Sequence, residues 1–372
     1  MAEFVIVGGG VYGAAVAYWL ADQGGDVHLL EARNIGNGAS AGPGRRGTRA
    51  NGRDIRELPL MRLSHQMWPH LHEVLGHDMS FFERSGGLRL IEREHDLEPA
   101  KARAMMQNRF GAETHLIDGG AVRELEPSLS KKIIAALHCP NDGASDHTAV
   151  TNAFADAARR AGAVISEDTR AASIEFSGGL AEAVITDGGE RIAVGERLFI
   201  LANAGVEALV GERVALPLWS RTFQVMVTSP VAGPKLGHLI GHASRTLALK
   251  AEDGGRIMIS GGLPGFWDAR AERGTALPAS MSANLADAAA VMPALDGIDI
   301  ELADADHLES STIDGIPVID TLPGAENTLY AAGWCGHGWA IAPALSQMMA
   351  DWGRSGELDP HLKPFAQARF AP

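Results

Sequence analysis

The sequence predicts a mixed α/β (α+β) fold: one domain holds a parallel sheet with crossover helices, and a second is built on a mixed or antiparallel sheet. Three observations carry this reading. Residues 4–30 run strand, glycine turn, helix, strand; residues 329–352 repeat strand, glycine turn, helix; and the middle of the chain carries hairpin signals instead of strand–helix alternation. Parallel pieces at both ends with antiparallel pieces between them require a parallel domain that is interrupted and completed later in the chain.

Residues 4–7 are apolar and β-branched, as a parallel strand buried on both faces requires. Residues 11–23 are rich in Ala, Val, Tyr and Leu and end at Gly24-Gly25, a helix stop. Residues 27–30 form a second buried strand ending at Glu31, so the whole unit has βαβ size. Apolar residues at Leu60, Leu63, Met67, Leu71 and Leu75 predict a helix over 58–75, with Pro69 kinking or dividing it. Residues 88–91 read as a strand, and 101–110 and 150–161 as helices. A hairpin is predicted from 181–186 and 191–194 around Asp187-Gly188-Gly189, and a separate buried strand at 198–202. Residues 223–228 read as a strand, 247–250 and 256–260 as a second hairpin, 282–291 as a helix, 329–332 as a strand and 339–352 as a helix.

Net charge is −14, and no Lys/Arg run is long enough for a nucleic-acid or lipid footprint. The local exception is Arg45, Arg46, Arg49, Arg53 and Arg56, a solvated loop or an anion site. Two cysteines, Cys139 and Cys335, exclude a disulfide framework and predict a reducing compartment. With no leader-like start and no 18-residue apolar run, the expectation is a cytoplasmic chain without a membrane span. His65, His70, His72 and His77 lack the spacing with a carboxylate that a zinc helix needs, so no metal is expected. No nucleophile elbow is present.

Gly8, Gly10 and Gly13 sit between the first strand and the helix, and Glu31 closes the second strand about 20 residues on. Gly8 suits a tight turn, Gly10 a backbone approach to pyrophosphate, and Gly13 close helix–strand packing. The helix start at Val11 and Tyr12 offers N–H groups and a positive dipole end, and Glu31, followed by Ala32, accepts ribose hydroxyls. This fingerprint leaves NAD and FAD open. The second turn, Gly333-Trp334-Cys335-Gly336-His337-Gly338-Trp339, favours FAD, because a helix N-terminus stabilises the negative charge of a reduced flavin and a nicotinamide has no such need.

With those residues in view, the chain resembles the D-amino-acid oxidase superfamily of FAD-dependent oxidoreductases, in the glycine oxidase and sarcosine oxidase branch. The matching pieces are 5–31 with Gly38-Ala39-Ser40, Asn141-Asp142-Gly143 leading into 150–161, 198–205, Thr312-Ile313-Asp314-Gly315-Ile316-Pro317, 332–338 and the tail 364–370. The resemblance implies a discontinuous Rossmann-like FAD-binding domain (1–80, 140–215 and 310–372) and a substrate domain (81–139 and 216–309). It implies that FAD takes a hydride from the carbon beside a substrate nitrogen, that the imine hydrolyses, and that oxygen or an electron acceptor reoxidises the flavin. Cofactor contacts expected from it are Gly8, Gly10, Val11, Tyr12, Gly13, Glu31, Ala32, Ser40, Arg45, Arg46, Ala171, Ala202, Gly205, Gly333, Gly336, His337, Gly338 and Trp339.

For catalysis the expected residues are Arg46, Arg49, Lys250 and His337. Arg46 and Arg49 follow the segment that the family brings beside the flavin, and a planar guanidinium fork suits a substrate carboxylate. Some relatives attach the flavin through a cysteine beside the piece matching 312–317; none stands there, so the FAD is expected to be noncovalent, with Cys335 a small buried thiol. Many relatives carry an arginine where His307-Leu308-Glu309-Ser310-Ser311 stands, so a carboxylate anchor there is missing or has moved. A lysine above the flavin promotes oxygen reactivity in some relatives; Met258 stands at the matching place, and Lys250 on the preceding strand is either its alternative or an ordinary surface lysine. The expected substrate is a small carboxylate-bearing amine of the glycine, sarcosine or iminodiacetate type. A 2-hydroxy acid, or service as the electron-transferring subunit of a larger complex, is the alternative.

Overall fold

The computed structural model describes residues 2–38, 44–213 and 215–371. The first strand, Ala2–Val7 (β1), pairs in parallel with Val27–Leu30 (β2) and, on its other side, with Arg191–Ile200. Val164–Ser166 extends the sheet beyond β2, and Ala325–Ala332 extends it beyond Arg191–Ile200, both in parallel. Phe4 and Ile6 face one layer and Val5 and Val7 the other, which is why a fully apolar run was needed here. The first layer holds the helix Val11–Asp22 (α1) packed between His147–Arg160 and Ala342–Ser355. Two helices far apart in sequence thus flank the first one, which is the interrupted parallel domain expected.

One long strand replaces the hairpin arm and the separate strand predicted at 191–194 and 198–202. Arg191–Ile200 pairs antiparallel with Leu180–Thr186 at its start and in parallel with β1 further on. Gly195 permits the passage, since a Cβ there would stand 2.7 Å from the Ala2 carbonyl oxygen. The helix predicted over 58–75 divides at Pro69 into Leu58–Met67, a 3-10 turn Trp68–His70 and Leu71–Val74. The helix read as 282–291 begins earlier, at Pro278, because proline at a first helical position sacrifices no hydrogen bond.

The second large sheet has, among the described residues, eight strands, drawn from residues 87–139 and 225–304. Its order is Ile300–Asp304, Val225–Thr228, Arg256–Ser260, Ala248–Glu252, Leu239–His242, Gly87–Ile91, Ala135–Cys139 and His115–Asp118. Only the Leu239–His242 and Gly87–Ile91 pair is parallel. The helix Pro278–Val291 covers one face, with Leu88, Leu90, Ile240, Leu249 and Ile259 in the core beneath it. Smaller sheets link the two bodies: Arg45–Thr48 pairs with Gly143–Asp146, and Leu218–Thr222 with Leu308–Thr312. Among the described residues no helix is long and apolar enough to cross a membrane.

Candidate active site

A cavity of about 1050 Å³ runs from the end of β1 to the face of the second sheet. That size stands at the upper end of the ~300–1,000 Å³ of most small-molecule pockets. Its floor begins at the first glycine turn. Gly8 has φ +108, and a Cβ there would lie 2.6 Å from the Leu201 carbonyl oxygen. A Cβ on Gly13 would overlap the Gly8 carbonyl oxygen, so helix and strand meet backbone to backbone. Gly10 differs: a Cβ there would meet nothing within 4 Å, so at this residue the backbone is open to the cavity. The first closed turn of α1 runs from the Ala14 N–H to the Gly10 carbonyl at 3.0 Å, and among the described residues no side chain caps the helix. The preceding N–H groups therefore remain for an anion. Glu31 accepts the N–H of Gly9 at 2.5 Å and of Arg33 at 2.8 Å, which fixes its carboxylate at the cavity edge.

The second glycine turn lies against the first. The Tyr12 ring stacks on Trp334 with centroids 3.8 Å apart and planes 6° apart, and Tyr12 Oη donates to the Gly338 carbonyl at 2.5 Å. Gly333, Cys335 and Gly336 all have positive φ, near +55 to +78. Cys335 adopts it without being glycine and is held by its N–H donating to the Ser310 carbonyl at 3.1 Å. The strand Leu308–Thr312 braces the turn: Gly333 N–H donates to Ser310 Oγ and Gly336 N–H to Glu309 Oε1, each at 2.7 Å. Asn203 completes the brace, accepting from Ser310 Oγ at 2.7 Å and donating to Glu309 Oε2 at 3.2 Å. The Cys335 thiol receives the Thr312 N–H and donates to the Gly333 carbonyl, and burial pushes its pKa up.

Above these turns the cavity wall is cationic. Arg46, Arg49, Arg53, Lys250 and Arg221 line it in a chain whose net charge is −14. Lys250 is 8% exposed, which rejects the surface-lysine reading. Burial, with Arg46 and Arg49 nearby, lowers its pKa to about 7. Burial lowers Arg46 to about 10 and lowers Arg49 as well. Arg53 is spoken for: it pairs with buried Glu57 at 3.1 Å and donates to the carbonyls of Arg49 at 2.6 Å and His337 at 2.7 Å. It thereby ties the arginine loop to the second glycine turn. Among the described residues no carboxylate stands within ion-pair distance of Arg49 or Lys250. His337 has its pKa lowered to about 3, first by burial and then by Arg49, Arg53 and Arg221, so its ring is neutral.

The structure brings most of the expected residues to this cavity: Gly8, Gly10, Val11, Tyr12, Glu31, Ala32, Arg46, Arg49, Ala171, Ala202, Gly205, Lys250, Gly336, His337, Gly338 and Trp339 all line it. Gly13 and Gly333 stand behind the lining, where their lack of a side chain permits the turns; a Cβ on Gly333 would overlap Thr312 Cγ2. Arg45 does not reach the cavity: it turns outward to Glu83, with Asp253 4.0 Å away, because successive strand residues point to opposite faces and Arg46 takes the inner one. Ser40 lies outside the described residues. Sequence reasoning missed Arg221, Glu309, Trp334 and Phe223. Arg221 stacks on Phe223 at 4.5 Å and stands opposite Glu309 in strand register, a pairing with no local sequence signal.

A fold with this paired-turn cavity defines a flavin-type dinucleotide oxidoreductase. The chain belongs to the FAD dependent oxidoreductase (DAO) family, whose profile matches residues 3–352. It is 28% identical to glycine oxidase of Geobacillus kaustophilus over 379 residues, covering 99% of this chain and 97% of that one. It is 27% identical to sarcosine oxidase subunit beta of Rhizobium meliloti, covering 92% of this chain and 82% of that one. Among solved structures, L-proline dehydrogenase from P. horikoshii superposes with TM-score 0.89 at 26% identity, covering 99% of this chain and 97% of that one. The protein is thus an FAD-dependent oxidoreductase, and the open Gly10 face, the uncapped helix and the placed Glu31 fit the cofactor.

Proposed function

We propose that this protein oxidises the C–N bond of a small amine bearing one or two carboxylates, of the glycine, sarcosine or iminodiacetate type. The observation that carries this reading is the buried cationic wall of Arg46, Arg49 and Lys250 facing a cavity in a strongly acidic protein. A buried cation with no carboxylate within ion-pair distance is costly, so Arg49 and Lys250, for which none stands there among the described residues, call for an anionic ligand. The relatives agree in chemistry, being an oxidase of glycine, a subunit of a sarcosine oxidase and a dehydrogenase of L-proline.

In this reading Gly10 and the start of α1 receive the pyrophosphate, Glu31 the ribose, and the Gly333–Gly338 turn the flavin ring. The bound FAD, held without a covalent link, supplies the chemistry by accepting the hydride from the carbon beside nitrogen. Arg49, Arg46 and Lys250 hold the substrate carboxylate and so orient that carbon. His337, neutral, lends polarity without adding a cation. The imine product hydrolyses in water, and oxygen or an electron acceptor completes turnover. The residues 1–80, 140–215 and 310–372 make up the cofactor domain, and 81–139 and 216–309 the substrate domain. Two free cysteines suit work in the cytoplasm.

Anaerobic mixing of the holoenzyme with glycine, sarcosine, iminodiacetate, L-proline and a panel of 2-hydroxy acids tests the proposal. Bleaching of the flavin by one or more of the amines is the expected result. Bleaching by 2-hydroxy acids alone overturns it. Copurification with a second polypeptide that is needed for turnover supports the subunit role, a reading the sarcosine oxidase subunit relative favours.

A further inference from the structure

The motif Asn141-Asp142-Gly143 has no part in the site as described so far. Asp142 has no exposed surface, yet it does not line the cavity. Its carboxylate instead accepts two backbone N–H groups, from Ala50 at 2.7 Å and Asn51 at 3.3 Å. These are the two residues that follow Arg49. Asn51 is held a second time, its Nδ2 donating to the Leu137 carbonyl at 2.8 Å. The backbone of Asp142 is equally fixed: its carbonyl accepts the Gly86 N–H at 2.8 Å, and its N–H donates to the Cys139 carbonyl at 3.2 Å. Space for the carboxylate exists because residue 87 is glycine, where a Cβ would stand 2.6 Å from Asp142 Oδ2.

The other groups around this carboxylate do not neutralise it by contact. His65 Nε2 is 3.6 Å away, but burial holds its pKa down to about 4, so the ring is uncharged. Arg49 and Arg53 act on Asp142 through space, and burial pushes its pKa up to about 7 against them and against the two N–H donors. A fully buried carboxylate spent on two consecutive backbone N–H groups gives the loop a fixed shape, most firmly above about pH 7, where it is ionised and binds each N–H more strongly than a neutral acceptor does.

We infer that Asp142 is a positioning residue: by clamping Ala50 and Asn51 it holds the Arg49 guanidinium in the cavity in the orientation that receives a substrate carboxylate. This rests on the reading of Arg49 as a carboxylate anchor. Asp142 itself touches neither substrate nor cofactor.

The test uses the holoenzyme and acetate as probe, with affinity read from the change in flavin absorbance. Wild type, Arg49→Lys, Asp142→Asn and the double variant are compared at one pH above 7, where Asp142 is ionised. Each single variant is expected to keep its flavin and to bind acetate roughly 10-fold more weakly or worse, as small misplacements of an anchor do. The double variant should bind no more weakly than Arg49→Lys alone, because the clamp acts through the fork that lysine has already lost. Gly87→Ala displaces the carboxylate while keeping its charge, so it should reproduce Asp142→Asn, and it carries the test where Asp142→Asn does not hold flavin. Wild-type acetate affinity in Asp142→Asn or Gly87→Ala, or additive losses in the double variant, overturns the clamp and leaves the Arg49 reading standing. Loss of flavin from both Asp142→Asn and Gly87→Ala also overturns it, since the clamp would then belong to the fold. Wild-type affinity in Arg49→Lys removes the anchor reading, and the clamp with it.

Discussion

Replacing Lys250 by methionine separates two consequences of a buried ammonium. Its pKa of about 7, against an ordinary value near 10.5, means that the folded protein binds fewer protons than the unfolded chain between those two pH values. Stability therefore rises with pH across that window, and the penalty is fully present below pH 7, on the order of a few kcal/mol. Lys250→Met should remove this slope, and urea unfolding at pH 7 and pH 9.5 should show a smaller gain for the variant than for wild type. The second consequence concerns anions. Below about pH 7 the ammonium can meet a carboxylate, in a charge-assisted contact contributing ~1.5–3 kcal/mol, or roughly 10- to 100-fold in affinity. Acetate binding to the wild-type holoenzyme, followed by flavin absorbance, should thus weaken as pH rises through about 7. The variant should bind acetate weakly at pH 6 and lose little more by pH 9. An equal pH slope in both proteins would refute the reasoning, because the titrating group would then lie elsewhere in the cavity.

The remaining expectations concern the cofactor. Acid precipitation of the purified protein should release the flavin into a yellow supernatant; colour kept in the pellet would mean a covalent link. Glu31→Ala removes an acceptor of the Gly9 and Arg33 N–H groups as well as the proposed ribose partner, so flavin retention after dialysis should fall by roughly 10- to 100-fold in affinity. Gly13→Ala drives a Cβ into the Gly8 carbonyl, and overpacking of about 1–3 kcal/mol or more should appear as a lower Tm and a lower flavin-to-protein ratio. By contrast, Gly10→Ala meets nothing in the protein and should leave the apoprotein Tm nearly unchanged while weakening FAD, which separates a ligand-facing glycine from a packing one.

The parts of the molecule legible in the sequence were those in which chemistry is local. The turn at Gly8 to Gly13 needs glycine for three different steric reasons within six residues, and the flanking strand must be apolar because both of its faces are covered. Arg46 and Arg49 were legible because five arginines within twelve residues of an acidic chain call for an anion. Arg45 shows the limit of that argument: whether a residue of the cluster points in or out depends on strand pairing with Gly143–Asp146, which composition does not encode. Glu309 and Arg221 were missed for the same reason, since they meet only through the register between Leu218–Thr222 and Leu308–Thr312.

If Lys250 serves as proposed, it extends that point from missing residues to displaced ones. By position along the chain Met258 occupies the place where some family members carry a lysine, and a reading strand by strand finds no cation there. The ladder pairs Lys250 directly with Met258. Directly opposed residues in an antiparallel pair project from the same face with Cβ atoms about 4.5–5.5 Å apart. A side chain as long as lysine spans that offset, so a cation can move to the neighbouring strand and still serve the same face of the sheet. Both positions are buried, and Lys250 is the one that lines the cavity. On the proposed role of Lys250, the electrostatic requirement of the site falls on a face and a depth, not on a sequence position. A family's functional cation should accordingly be sought among the cross-strand partners of the expected residue before it is declared lost.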